Sequence, residues 1–301
     1  MSALLFAVQL LVFPGLLYAL AAGFLMEWIQ RKTNARLQGR IGPPFYQPFF
    51  DVVKLLGKSP IPRPPLQRLF MTALPAGAAV ATLGALVLLP VLPSGIGFPG
   101  DVVLLVALIE VGPLLAVLGG FVSRSLWGGL GAAREAVMTA AYNLPFLTAL
   151  VALAWHSDLS VATLAATAPL GVRLAALAAI LLCLPAKLHL NPFSIASAEQ
   201  EIYAGVTTEY DGPRLALWEL AHGFEWVALT GLFAVLAVPL SLVAPGWRVP
   251  VFVAVSLAVV VVLSVIAAAT ARFKIAQTAR WFWLWGLLLA SSALGLTIAG
   301  V

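Results

Sequence analysis

Apolar side chains run along this chain in long stretches, and the polar residues gather between them. A helix needs about 20 apolar residues to cross the hydrocarbon core of a bilayer. Stretches of this kind lie at residues 3–28, 69–92, 101–123, 136–155, 172–190, 215–243, 249–270 and 281–300, so the pattern predicts eight transmembrane helices. Pro14 and Gly15 interrupt the first, and Pro185 and Lys187 cut into the fifth. The first run carries neither a basic start nor a small-residue cleavage pattern and reads as a retained span. The expected fold class is all-α: a polytopic membrane protein forming one integral membrane domain over residues 1–301.

Two polar interruptions stand out, at about 29–68 and 191–214. Fifteen of the 17 Lys and Arg residues fall on the side of the membrane that holds both, and only Arg173 and Arg248 fall on the other. The positive-inside rule then places these loops inside and both termini outside, in a multi-pass protein of the cell's inner (plasma) membrane. The net charge of +5 is this bias seen in the total. It suits contact with lipid headgroups or an acidic partner, not nucleic acid. In the first loop, Gly39, Gly42 and Pro43-Pro44 predict a rigid turn. Residues 48–57 follow as an amphipathic surface helix with Phe49, Val52, Val53 and Leu56 on one face and Lys54 and Lys58 snorkelling outward.

The second loop concentrates acid. Glu199, Glu201, Glu209 and Asp211 are a third of the 12 acids in the chain. A solvated loop between spans is expected to be polar, and that alone accounts for most such segments. This one also carries Phe193, Ile195, Ile202, Tyr203 and Tyr210, side chains that favour burial, so it reads as a structured, functional loop.

Within the spans, Glu110 sits in the middle of an apolar run. A carboxylate at that depth must face protein or water, and burial favours its neutral form, as a proton carrier needs. Glu219, His222 and Glu225 recur every three residues along the sixth helix. They suit proton conduction or inter-helix hydrogen bonding, with a purely structural buried pair as the plain alternative.

Composition narrows the chemistry further. The chain is 62% apolar and 10% charged, far from a soluble globular protein. Its single cysteine, Cys183, cannot hold an iron–sulfur cluster, which takes about four thiolates. His156, His189 and His222 are scattered without zinc spacing, and no glycine-rich phosphate loop or nucleophile elbow is present. No metal or cofactor site is expected on this chain alone.

The motifs carry a resemblance. Pro192-Phe193, Ala198-Glu199-Gln200-Glu201, Gly205 and Glu209-Tyr210-Asp211-Gly212 resemble, in order and spacing, the acidic loop of one membrane-anchor family. That family is shared by respiratory complex I (the subunit-1, or H, type) and the group 4 membrane-bound NiFe hydrogenases. Gly39-Arg40-Ile41-Gly42-Pro43, Gln47-Pro48, Asp51 and Lys54-Leu55-Leu56 match its first inside loop, and Gly131 to Pro145 and Ala271 to Arg280 match further segments. The Ala-Glu-Gln-Glu wording and the Arg134-Glu135 pair lean toward the hydrogenase branch. Ser194, Ser197, Asn143 and Ala276 stand where relatives carry acids.

The resemblance implies a non-catalytic membrane anchor and proton-coupling subunit of an energy-converting redox complex. Glu110, Glu199, Glu201, Glu209, Asp211, Glu219, His222 and Glu225 would carry the coupling. Arg36, Gly39, Arg40, Gly42, Pro43, Gln47, Asp51, Lys54, Arg134 and Glu135 would form the docking platform or quinone entry. Partners would be hydrophilic electron-transfer subunits (NiFe-hydrogenase-like large and small subunits and a ferredoxin-like subunit), antiporter-like membrane subunits and the lipid bilayer. Iron–sulfur clusters, and in the hydrogenase branch a NiFe site, would sit on those partners. The alternative is a quinone-chamber subunit of an NADH or ferredoxin:quinone oxidoreductase. A stand-alone cation transporter is the reading from another class, and the chain lacks the repeated halves it would show.

Overall fold

The computed structural model describes residues 3–92, 96–155 and 157–300, without the side chains of residues 3–5 and Glu199. In chain order the helices are α1 (Ala3–Leu11), α2 (Leu16–Leu37), α3 (Gln47–Leu56), α4 (Pro65–Val87), α5 (Asp101–Val122), α6 (Leu126–Ala154) and α7 (Val161–Thr167). They continue as α8 (Leu170–Lys187), α9 (Glu199–Ile202), α10 (Gly212–Ala237), α11 (Pro245–Ala269), α12 (Ile275–Trp281) and α13 (Leu287–Ala299). A π-helical turn, Phe282–Gly286, joins the last two into one rod. Among the described residues there is no strand, and eight helical stretches are long and apolar enough to cross a membrane. The chain is a multi-pass membrane protein.

The first span is broken where the sequence places Pro14 and Gly15. A side chain at Gly15 would lie 1.9 Å from the Leu10 carbonyl oxygen, so only glycine permits the chain to fold this tightly. Beyond the break, α2 runs to Leu37, nine residues past the expected end at 28. The helix continues because Glu27 and Arg31 pair one turn apart on its surface. The fourth span likewise begins at Leu126, not 136, so Arg134 and Glu135 stand on a helix and not in a loop. The expected surface helix is α3, within a residue of 48–57. Helix α7 was not expected at all. Asp101, at the start of α5, is buried and accepts hydrogen bonds from Val161 N at 2.7 Å and Phe98 N at 3.3 Å, fixing α7 against α5.

Helix α4 lies between α5 and α10, α2 packs on α10 and α11, and α6 packs on α5, α8 and α13. Lipid tails are as apolar as leucine, so tight packing, not hydrophobicity, holds such helices together. The seams are accordingly built from small residues. A Cβ on Gly23 of α2 would come within 2.9 Å of Gly223 O on α10. Buried Ala78, Ala79, Ala81 and Ala85 line α4. Large apolar side chains such as Val80, Leu114, Phe121, Trp283 and Leu288 face outward, as lipid contact requires.

Candidate functional site

The residues between α8 and α10 fold into the bundle as a plug. The Leu190 amide reaches back to the Pro185 carbonyl at 2.7 Å, ending α8. Phe193 is 3% exposed and packs on Phe273, Trp281 and Phe282, with ring centres 5.7, 5.6 and 4.7 Å away. Gly205 has φ +56°, and a Cβ there would lie 2.1 Å from Ala196 O. Gly131 on α6 lets this turn approach, because its own Cβ would sit 2.6 Å from Val206 N. These contacts explain two glycines that the sequence marks only as motif positions.

Arginines hold the acids of the loop. Arg134 Nη1 lies 2.7 Å from Glu201 Oε2. Arg63 donates to Glu209 O at 2.6 Å and lies 3.4 Å from its carboxylate. Arg214 pairs with Asp211 at 3.1 Å, and Asp211 also accepts from the Ile61 amide. The Glu199 side chain and His156 lie outside the described residues. Arg272 Nε donates to Ser194 Oγ at 3.0 Å, tying the first half of the plug to the segment before α12.

The loop between α2 and α3 folds back on α2. Trp28 Nε1 donates to Pro43 O at 3.2 Å, and Gly39 and Gly42 take φ +73° and +75°. Asp51 on α3 accepts from Arg31 and from Gln47, both at 2.8 Å, tying the surface helix to the first span. Arg36, Arg40 and Lys54 are exposed.

Between plug and helices lies a cavity of about 390 Å³. Its polar wall is Glu27 and Arg31 from α2, Glu135 from α6, His189 from the plug, and Glu219, His222 and Glu225 from α10. Ala78, Pro113, Ala116 and Trp218 add apolar surface to the lining. His189 Nε2 and Glu135 Oε2 are 2.9 Å apart, and Glu135 is buried. Burial works against an imidazolium here, yet the Glu135 carboxylate beside it, with Glu225 farther off, outweighs burial and raises His189 to about 9. Trp226 Nε1 donates to His222 Nε2 at 3.2 Å, so a neutral His222 carries its proton on Nδ1, 3.5 Å from Glu225. The two imidazoles stand 5.9 Å apart, centre to centre. No group of three or more His, Cys, Asp or Glu among the described residues is arranged to hold a metal.

Glu110 lies apart from this wall, although Gly112, Pro113 and Ala116 on its own helix line the cavity. It is not a lone acid. Lys187 Nζ is 2.5 Å from Glu110 Oε1, and Asn143 Nδ2 donates to Oε2 at 2.6 Å.

Of the residues singled out in the sequence, the structure gathers Glu219, His222, Glu225 and Glu135 on one cavity. Glu201, Glu209 and Asp211 are placed in ion pairs around its mouth instead. Sequence reasoning passed over Glu27, Arg31, His189 and Lys187. Glu27 and Arg31 are spaced for a helical pair, a signal hidden by ending the first span at 28. His189 and Lys187 flank the end of α8 and gave no sign of their partners on α6 and α5.

The family model described as NADH dehydrogenase matches residues 8–298. The chain is 30% identical to hydrogenase-4 component C of Escherichia coli (strain K12), over 71% of this chain and 70% of that protein. Among solved structures it resembles a chain of the membrane-bound sulfane sulfur reductase, an archaeal respiratory membrane complex. That likeness has a TM-score of 0.84 and 26% identity and covers 97% of this chain and 99% of the other. With nearly its full length matched, the chain belongs to the NADH dehydrogenase family.

Proposed function

We propose that this member of the family is the membrane anchor and coupling subunit of a complex I-like energy-converting redox complex. A single observation carries the reading. Four carboxylates and two histidines line one cavity, together with residues of the 191–211 loop, and a partnered carboxylate, Glu110, sits on a helix of that same cavity wall. A change of charge in an electron-transfer arm docked on that loop would act on the cavity first. Protons, or changes in protonation, would then pass toward Glu110 and on to antiporter-like neighbours. The arm would rest on the inside face, on Arg36, Arg40, Lys54 and the 191–214 loop, with both termini outside. Iron–sulfur clusters, and any NiFe site, would belong to the arm.

The quinone reading has one observation in its favour. The cavity volume falls within the usual range of small-molecule sites, about 300–1,000 Å³. Its wall of Ala78, Pro113, Ala116 and Trp218 also suits a flat apolar ring.

The test is a gentle-detergent purification of the chain from its native membrane, with subunit identification and metal and activity assays. Nickel with hydrogen turnover supports the hydrogenase-type complex; iron without nickel and quinone-dependent oxidation supports the second reading. Recovery of the chain without redox subunits refutes both. In the intact complex, Glu110→Gln should abolish ion translocation per electron transferred; an unchanged ratio removes Glu110 from the path.

A further inference from the structure

Lys187 is the last residue of α8 and in sequence looks like a helix-end lysine reaching for the membrane surface. Its side chain is 1% exposed and points inward instead. Nζ lies 2.5 Å from Glu110 Oε1 and 3.1 Å from Asn143 Oδ1. It also sits over the rings of Tyr142 and Phe146, at 4.6 and 4.4 Å from their centres. The ammonium thus has two oxygen acceptors and two aromatic faces, the environment a cation needs away from water. Glu110 receives one donor on each oxygen. Glu110 lies nine residues along α5 from Asp101, about 14 Å at 1.5 Å per residue, which puts the pair deep in the bundle.

Other titratable groups around the pair are few. Cys183, one turn earlier on α8, is buried with Sγ 3.6 Å from the Tyr142 carbonyl. The Tyr142 hydroxyl is 3.2 Å from Thr139 Oγ1, which is 3.5 Å from Glu135 at the cavity. Helix α13 and the π turn, packed on α6 and α8, contribute no charged side chain. Removing either partner leaves the other charge buried and uncompensated, the costly case for an ion pair.

We propose that Lys187 is a positioning residue that keeps Glu110 as a carboxylate aimed at α6 and so gates proton passage through it. The inference rests on the coupling role given above to Glu110. The step balances: a proton reaching Glu110 neutralises the carboxylate and leaves the Lys187 ammonium without a counter-charge. Loss of one proton, from the acid or from the ammonium, restores the neutral pair. One proton enters, one leaves, and no electrons move. Entry thereby forces release, because protonating Glu110 leaves the Lys187 ammonium, 1% exposed, without its counter-charge.

The test uses the whole complex in liposomes, with Lys187→Met, Lys187→Arg, Glu110→Gln and the exchanged pair E110K/K187E. Two quantities are read: ions moved per electron, and the infrared C=O band of a protonated carboxylic acid. Lys187→Met should lower the ion-to-electron ratio at least tenfold and add an acid band that disappears in K187M/E110Q. Lys187→Arg should keep most of the ratio and show no new band, and the exchanged pair should recover part of it. If Lys187→Met does not assemble, Lys187→Gln replaces it, with the same loss of ratio and new acid band expected. A normal ratio in the Lys187→Met or Lys187→Gln variant overturns the gate, and so does the absence of the new band there. If Glu110→Gln itself moves ions normally, the coupling reading fails instead, and the infrared band separately decides whether Lys187 holds Glu110 ionised.

Discussion

The His189–Glu135 pair offers the sharpest quantitative test of the cavity. Replacing Glu135 with Gln keeps the shape of the side chain and removes its charge. His189 sits at about 9 because of that carboxylate, against an ordinary value of 6.5. At about 1.36 kcal/mol per pH unit the gap corresponds to ~3 kcal/mol. The ring is 29% exposed, toward a cavity that admits water, and screening there brings the contribution to ~2 kcal/mol. The sign follows from linkage: a pKa raised by folding stabilises fully below the unfolded value and is lost as pH rises through the folded one. The wild-type subunit should therefore lose ~2 kcal/mol of resistance to denaturation between about pH 6.5 and about pH 9. The Glu135→Gln variant should lack that decline. Only three histidines exist in the chain, so selective 15N-histidine labelling gives a spectrum simple enough to follow each ring. One signal should titrate near 9 and move to 6.5 or below in the variant, where burial remains but the carboxylate does not. Titration of every histidine near 6.5 in the wild type would refute the argument, as would a Glu135→Gln spectrum unchanged from it.

Other changes probe the seat of the plug. Gly131→Ala puts a Cβ against the backbone of Gly205 and Val206, which cannot rotate away. Overpacking of this kind costs about 1–3 kcal/mol. Proteolysis within residues 199–209 should speed up accordingly, and an unchanged cleavage rate would show that the turn does not rest on α6. Glu201→Gln breaks an ion pair whose carboxylate is 55% exposed. It should shift the denaturation midpoint hardly at all, since such pairs are worth about 0–1 kcal/mol, and a large shift would mean that the pair is shielded by a contact beyond this chain.

Long apolar periodicity made the eight spans legible, because each is a local property of some 20 residues. What stayed hidden depends on partners distant in sequence. The first span was expected to end at 28, where polar residues begin, yet lysine, arginine, glutamine and alanine are good helix formers and carried α2 to Leu37. Arg134 and Glu135 read as loop residues because two charges side by side suggest exposure. In the fold, one meets Glu201 and the other His189. Lys187 read only as the residue that cuts the fifth span short, because its counter-ion lies 77 positions away, on another helix. The motif glycines were visible, but the approach of two backbones that explains Gly131 was not.

The loop acids and the cavity acids, grouped in the sequence analysis as one coupling set, fall into two sets in the fold. Glu201, Glu209 and Asp211 stitch the plug to Arg134, Arg63 and Arg214, and none of the three lines the cavity. The partly exposed Arg134–Glu201 and Arg63–Glu209 pairs contribute about 0–1 kcal/mol each. The other half of the plug is fixed differently: Phe193 is buried among three aromatic rings, worth about 1.5–3 kcal/mol on its own before any ring–ring gain. Residues 192–196 are therefore the anchor, and the largely buried Arg214–Asp211 pair fixes the far end, while 199–209 are held by salt-sensitive contacts that a docked partner with charges of its own can compete for. That second half also supplies Ala204, Val206 and Thr207 to the cavity wall, next to Glu135 and His189. A rearrangement of its ion pairs would thus reach the cavity through backbone it already shares, with no acid of the loop having to carry a proton. The lining agrees with this division: Ser194 is held by Arg272 and Ser197 adds an uncharged patch of cavity wall, while the carboxylates of the cavity come from α2, α6 and α10.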